Sequence, residues 1–226
     1  MTSRTEPNLL PAALFARAHS PARDVPRSWH LIKRSFDVAF ASMALIVAAP
    51  VIALAALAVV AVSPGRPFFW QERVGKGGRQ FKLCKLRTMV VGAHLQHSEM
   101  HHLNEVEGPV LKIRNDPRLH RFGKMLRRSS VDELPNLINV LRGEMSIVGP
   151  RPPLPSEVEH YDEFALRRLA VKPGITCLWQ ISGRSGVSFD EWMRLDNLYI
   201  DTWSPLGDLG IIVKTIPAVL RGEGAH

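Results

Sequence analysis

Two adjacent carboxylates, Asp132 and Glu133, follow the guanidinium pair Arg127 and Arg128, and a further guanidinium, Arg151, sits in Pro150-Arg151-Pro152. Neighbouring residues on a helix point to different sides, so these acids are poorly placed to share one proton. They suit divided work, one carboxylate attacking while the other binds a cation. Carboxylates flanked by arginines, with a helix start close by, make a phosphate site with room for Mg²⁺. A plainer account also fits. Ser130-Val131-Asp132-Glu133 reads as an S-x-x-E capping box, and peptide dipoles favour acids in a first helical turn. Pro135 complicates that account. With Ser130 as the cap, Pro135 falls past the first turn, where its missing amide is costly. Either Asp132 is the cap or the turn is distorted.

These residues need a scaffold. Leu134, Leu137, Ile138 and Leu141 recur at i, i+3, i+4 and i+7, which predicts a short amphipathic helix stopped at Arg142-Gly143. Upstream, Gly75-Lys76-Gly77-Gly78 separates two strand-like runs, 68–74 and 80–88. They predict a β-hairpin with basic strands facing the membrane interface. Asn115-Asp116-Pro117 predicts a turn before a short basic helix. His94, His97, His101 and His102 show no recognised metal-ligand frame and read as a solvated helix or loop. Downstream, residues 156–171 read as one helix and 175–185 as a strand with a glycine turn. Trp179, Gln180 and Arg184 are candidates for contact with nucleotide or sugar; a core tryptophan with surface neighbours is the equal alternative. The run DLGIIVKTIPAVLRG predicts an interfacial helix bent before Pro217, with Leu209, Ile212, Ile216, Val219 and Leu220 on one face.

From Val38 to Val62 no residue is charged and only Ser42 is polar. Such a run reads as a membrane helix. Pro50 lies at its centre and removes a helical hydrogen bond. Both flanks are basic: Arg23, Arg27, Lys33 and Arg34 before, Arg66, Arg73, Lys76, Arg79, Lys82, Lys85 and Arg87 after. Basic residues favour the cytoplasmic side, so a helical hairpin that enters and leaves on one face satisfies both flanks. The expected organisation is a disordered leader over 1–30, a re-entrant membrane helix over 31–64 kinked at Pro50, and a cytosolic membrane-associated domain over 65–226. Lys33 and Arg34 at the mouth are candidates for pairing with lipid phosphates. The fold class is α+β, mainly helical, with a small β-hairpin and interfacial amphipathic helices.

The net charge of +8 favours anionic partners. Nucleic acid is disfavoured, because aromatics on a basic sheet are sparse. The mean hydropathy of −0.02 excludes a multi-span membrane protein. Cys84 and Cys177 show no metal or redox spacing and are read as reduced.

The run SVDELPNLINVLRGEMSIVGPRPP closely resembles the bacterial sugar transferases, monotopic phosphoglycosyl transferases that start glycan assembly on polyprenyl phosphate. KRSFDVAFASMAL, RPFFWQERVGKGGRQFKLCKLRTM, NDPRLHRFGKMLRR, KPGITCLWQISGRS and WSPLGDLGIIVKTIPAVLRG match in the family's order, covering about 31–226. The resemblance implies that Asp132 attacks the β-phosphate of a UDP-sugar, releases UMP and forms a covalent phospho-sugar enzyme. Undecaprenyl phosphate then accepts the sugar phosphate. It implies Mg²⁺ with Asp132 and Glu133 as candidate ligands, and phosphate binding by Arg127 and Arg151. The WQISGR region resembles exopolysaccharide-priming members, an analogy that suggests glucose or galactose. The inner membrane of a bacterium, with the catalytic domain on its cytosolic face, is the implied location; a homo-oligomer is left open. Ala49-Pro50 departs from the family's frequent Ser-Pro, and the short leader suggests a minimal form. A non-catalytic, membrane-anchored assembly factor is the alternative, disfavoured by the intact Asp132, Glu133, Arg127 and Arg151.

Overall fold

The computed structural model describes residues 24–93, 100, 104, 108–110, 113, 115–182 and 188–221. The leader up to residue 23, the group His94, His97, His101 and His102, and Arg184 lie outside the described residues. Helix α1, Arg27–Val62, runs for 36 residues, about 54 Å if straight. It starts four residues before the expected boundary at 31, and it continues through Pro50 as one helical element. Among the described residues it is the one helix long and apolar enough to cross a membrane. Asp37, Ala41, Ala48, Ala55 and Val59 are its buried positions. Their steps of four and seven trace one side of a helix, and the small side chains allow close approach. Met43, Ile46, Val47, Leu54 and Leu57 on the rest of the surface are exposed.

Both ends of α1 are fastened to the same body. Near the start, Lys33 Nζ pairs with Asp208 at 2.5 Å and donates to the Val148 carbonyl at 3.0 Å. Arg34 donates to the Val140 and Leu141 carbonyls at 2.7 and 2.9 Å. Asp37 accepts from Ser146 Oγ and the Ile147 amide, each at 2.9 Å. At the far end, Arg87 donates to the Ser63 and Pro64 carbonyls, and Ala55 and Val59 pack with Leu86 and Leu126.

Strands β1 (Phe68–Val74) and β2 (Gln80–Leu86) pair antiparallel from Phe68↔Leu86 to Val74↔Gln80. The turn between them uses Gly77 and Gly78 at positive φ, which their missing Cβ tolerates. Helix α2 (Arg121–Arg128) is the expected basic helix. A 3-10 turn, Val131–Asn136, leads into α3 (Leu137–Arg142), which Gly143 ends at φ 81°. Strand β3 (Ser146–Val148) then pairs parallel with β4 (Gly174–Thr176). Between them, 156–171 is not one helix. Short α4 (Pro155–Val158) and α5 (Glu163–Leu166) are followed by a 3-10 turn, Arg167–Ala170. Asp162 restarts the chain by accepting from the Ala165 amide at 2.8 Å, a side-chain cap.

After β4, α6 (Leu178–Ile181) takes the place of a continued strand. Helix α7 (Phe189–Thr202) was not foreseen; it buries Trp192, Met193, Leu195, Tyr199 and Ile200. Helix α8 (Pro205–Arg221) passes through Pro217. Its exposed apolar residues are Leu206, Leu209, Val213 and Ile216, while Ile211 and Ile212 pack inward. The exposed face therefore differs from the expected one, because Asp208 and Thr215 tie the inner side to Lys33 and Thr176. The main core joins Ala41 of α1 to Phe81, Leu83, Val140, Ile147 and Ile200. A second gathers Val74, Val158, Leu166, Leu169 and Trp192 under the segment that follows β3. The described chain is thus mainly helical with two small sheets.

Candidate active site

Asp132 and Glu133 lie in the 3-10 turn. Ser130, just ahead, has φ 56° and caps nothing with its side chain. It is the one non-glycine residue at positive φ among the described residues, a conformation that concentrates at functional sites. The capping-box account therefore fails, and distortion is what accommodates Pro135. The tight turn buries Asp132 while leaving Glu133 partly exposed.

The two acids open onto a cavity of about 840 Å³. Arg127, Arg151, Trp179 and Gln180 line it too, so four of the five expected substrate contacts share one space with the carboxylates. The hairpin contributes a wall that sequence reasoning missed. Phe69, Gln71 and Arg73 alternate along one face of β1, and Lys85 lies opposite Phe69 on β2. The basic hairpin thus faces the cavity. Period-two alternation of Gln71 with Arg73 was the available signal.

Lys85 Nζ bonds Glu133 Oε1 at 2.6 Å. Burial disfavours the Glu133 carboxylate, but Lys85, with Arg151 and Arg73, outweighs it and lowers its pKa. Asp132 goes the other way. Burial first, then the Glu133 charge, raise it to about 6 against the pull of Lys85 and Arg127. Asp132 makes no ion pair among the described residues. One acid is neutralised in advance by an ion pair; the other is not.

The cations are held by their own supports. Arg127 Nε donates to Thr88 Oγ1 at 3.1 Å. Arg73 donates to the Pro152 carbonyl at 2.9 Å and to Gln71 at 2.7 Å; burial and nearby Arg151 lower its pKa. Arg151 sits 3.9 Å from buried Glu157 and 5.7 Å above the Trp192 ring. Its carbonyl accepts from Arg168 at 2.9 Å. Arg118 also lines the cavity but is committed to Asp116 through contacts of 2.8 and 2.5 Å. The Trp179 ring lies 4.8 Å from that of Trp192, tilted by 48°. Gln180 accepts from the Cys177 amide at 3.1 Å. Lys33 and Arg34 are outside the cavity lining, with their donors engaged in fastening α1. Pro50 stays within α1.

A self-sufficient metal cage is absent among the described residues. Mg²⁺ is ordinarily held by one or two acids plus substrate phosphates and water, and the adjacent carboxylates Asp132 and Glu133, sharing a cavity with Lys85, Arg127 and Arg151, are of the donor type that requires. Chemically, the arrangement can neutralise a diphosphate and present a free carboxylate to phosphorus.

Comparison with known proteins places the chain among named relatives. The family described as bacterial sugar transferase matches residues 28–222. The exopolysaccharide production protein ExoY of Rhizobium meliloti is 42% identical over 200 residues, 87% of this chain and 88% of that protein. The UDP-glucose:undecaprenyl-phosphate glucose-1-phosphate transferase of Caulobacter vibrioides is 41% identical over 218 residues, 91% and 76% of the two chains. The undecaprenyl-phosphate galactose phosphotransferase of Salmonella typhimurium is 37% identical over 204 residues, 88% of this chain but 43% of that protein.

Proposed function

The chain belongs to the bacterial sugar transferase family, and from that premise we propose that it moves a hexose 1-phosphate from a UDP-hexose to undecaprenyl phosphate, through a phospho-sugar held on Asp132. The observation that carries this reading is the pairing of opposites in one turn: Asp132 buried and free of ion pairs, Glu133 tied to Lys85. A nucleophile must keep its lone pairs available, whereas a charge-balancing acid need not.

In the first half-reaction the Asp132 carboxylate attacks the β-phosphorus. The bond from that phosphorus to the oxygen bridging to the α-phosphate breaks, and UMP leaves with the electron pair. In the second, a phosphate oxygen of the acceptor attacks the same phosphorus. The phosphorus–Asp132 bond breaks and the carboxylate is regenerated; a dianionic acceptor needs no proton removed. Arg127, Arg151 and Lys85 spread the charge that moves between oxygens, the main demand of phosphoryl chemistry. Asp132 and Glu133 would hold Mg²⁺, which when bound offsets diphosphate charge. Trp179 and Gln180 would meet the nucleotide or sugar, a reading supported by their position in the cavity wall. Glucose and galactose both appear in the names of relatives, and either suits the reading; the product would prime a surface glycan such as an exopolysaccharide.

The chain sits, in this reading, on the cytosolic face of the bacterial inner membrane without crossing it. Two features support that. Both ends of α1 are fastened to one body, and Leu206, Leu209, Val213 and Ile216 present an apolar face on α8, as an interfacial helix does.

The test uses purified protein with UDP-glucose or UDP-galactose and no acceptor. UMP release and a mass increase of one hexose phosphate on the protein are expected. Asp132→Asn should remove both, by at least about 1,000-fold. An adduct that persists in the variant overturns the nucleophile; no UMP from the native protein with any UDP-hexose overturns the reaction.

A further inference from the structure

The cavity has two unlike ends. Its inner end holds Asp132, Glu133, Lys85, Arg127 and Arg151. Its outer end is lined by Gly65, Arg66, Phe68, Phe69, Val90 and Val91. Phe68, Phe69, Val90 and Val91 are 37%, 40%, 43% and 69% exposed, although apolar side chains in a cavity wall are ordinarily covered. The gradient is drawn along β1 itself, where Phe69, Gln71 and Arg73 change from aromatic to amide to guanidinium on one face.

The outer end also has a fixed place in the molecule. It begins three residues after α1 ends at Val62. Gly65, at φ 126°, lies so close to Val91 that a Cβ would meet Val91 Cγ2 at 3.2 Å and Arg87 at 3.4 Å. Arg87 in turn bonds the carbonyls that close α1. The mouth is therefore built onto the end of the apolar helix. Arg66 is exposed there and makes no ion pair among the described residues. The other arginines of the cavity differ: Arg73, Arg87, Arg118 and Arg127 each donate a hydrogen bond within the protein, and Arg151 lies 3.9 Å from Glu157.

An exposed cation among exposed apolar side chains, opening beside a membrane helix, is complementary to an amphiphile with an anionic head. We propose that this outer end is the acceptor subsite, in which Arg66 binds the phosphate of an isoprenoid phosphate and Phe68, Phe69, Val90 and Val91 take its first isoprene units. The inference rests on the reaction proposed above. It adds which residues receive the acceptor and by which side it enters. The donor's diphosphate belongs with Lys85, Arg127 and Arg151, so the acceptor reaches Asp132 from the apolar part of the same cavity.

The experiment separates the half-reactions. In mixed micelles with a short-chain polyprenyl phosphate, Arg66→Ala should raise the acceptor KM about tenfold, the scale of one lost charge-assisted contact. The UDP-hexose concentration that half-saturates the rate of the single-turnover UMP burst without acceptor should stay within twofold (roughly the scatter of a surface change). Val91→Trp, which fills the mouth, should show the same split. An unchanged acceptor KM in both variants overturns the proposal. So does an equal rise in the half-saturating UDP-hexose concentration of that burst, which would place Arg66 on the donor. Phosphatidic acid at the acceptor's own micellar mole fraction should not inhibit; inhibition as strong as that by a polyprenyl phosphonate would mark a general lipid-phosphate site and overturn it. A diazirine-bearing polyprenyl phosphate should label residues 88–93 in the native protein and not in Val91→Trp. Because labelling needs no turnover, it tells a misplaced subsite from a mistaken reaction: labelling elsewhere sinks the former, and absence of UMP release sinks the latter.

Discussion

Arg168 shows how much of the site depends on residues that touch no substrate. Its guanidinium is buried against Asp196 at 2.8 Å, donates to Tyr161 at 2.8 Å and holds the Arg151 carbonyl at 2.9 Å. It also lies 5.0 Å over the Trp192 ring. Both partners of the ion pair are 1% exposed, so removing one leaves a charge with neither water nor counter-ion. Arg168→Met is expected to cost about 3–5 kcal/mol, read as a lower urea midpoint in detergent micelles. Asp196→Leu added to it removes the stranded charge and should recover most of that loss, since an apolar pair can replace a buried ionic one. Recovery of stability without recovery of UDP-hexose KM would show that holding the Arg151 carbonyl is a separate contribution. Equal stability of the two variants would show that Asp196 is not stranded when Arg168 is lost.

Helix α2 and the strand end beside it position Arg127, and the contact between them has no slack. A Cβ on Gly123 would fall 1.9 Å from the Thr88 carbonyl oxygen. Backbone cannot rotate aside, so Gly123→Ala must push α2 off Thr88, whose hydroxyl receives Arg127. Destabilisation of about 1–3 kcal/mol is expected from such overpacking, with UMP release falling further than in a surface control such as Lys124→Ala. A native-like unfolding midpoint in Gly123→Ala would refute the tight contact. The same element shows what sequence could reveal. The helix, the hairpin boundaries and the Asp132–Glu133 turn were legible because each is written in a few consecutive residues with strong turn or periodic signals. Lys85 reaches Glu133 across 48 residues, and nothing local to either residue announces that pairing. Helix α7 was missed for a related reason: its buried face is defined by Arg168, Tyr161 and α1, which the chain supplies from elsewhere. Lys33 and Arg34 read as lipid contacts because the partners they meet in the fold, Asp208 and the end of α3, lie still farther away, 175 and 106 residues along the chain.

At the scale of the whole molecule, the question raised by the proposed membrane location is how a 36-residue helix, uncharged from Val38 on, and a polar domain would share a bilayer. A straight crossing needs about 20 apolar residues and separates its two ends by the full hydrocarbon thickness of about 30 Å. Here the first turns bond Asp208, Val140 and Val148, and the closing carbonyls bond Arg87. Placing the ends on opposite faces would pull either set of buried ionic and hydrogen-bonded groups into lipid, where unsatisfied polar groups are costly. Keeping α1 against the domain, with Met43, Ile46, Val47, Leu54 and Leu57 turned toward acyl chains, avoids that loss. The prediction concerns topology. Asp24→Cys marks the chain just before α1, and Lys76→Cys marks the exposed hairpin turn after it. Native Cys84 and Cys177 are buried and should stay silent toward a membrane-impermeant maleimide in either background. In intact cells neither new cysteine should label; after permeabilisation both should. Labelling of Asp24→Cys from outside, with Lys76→Cys protected, would mean that α1 crosses the membrane and that the contacts at its first turns are broken in the bilayer.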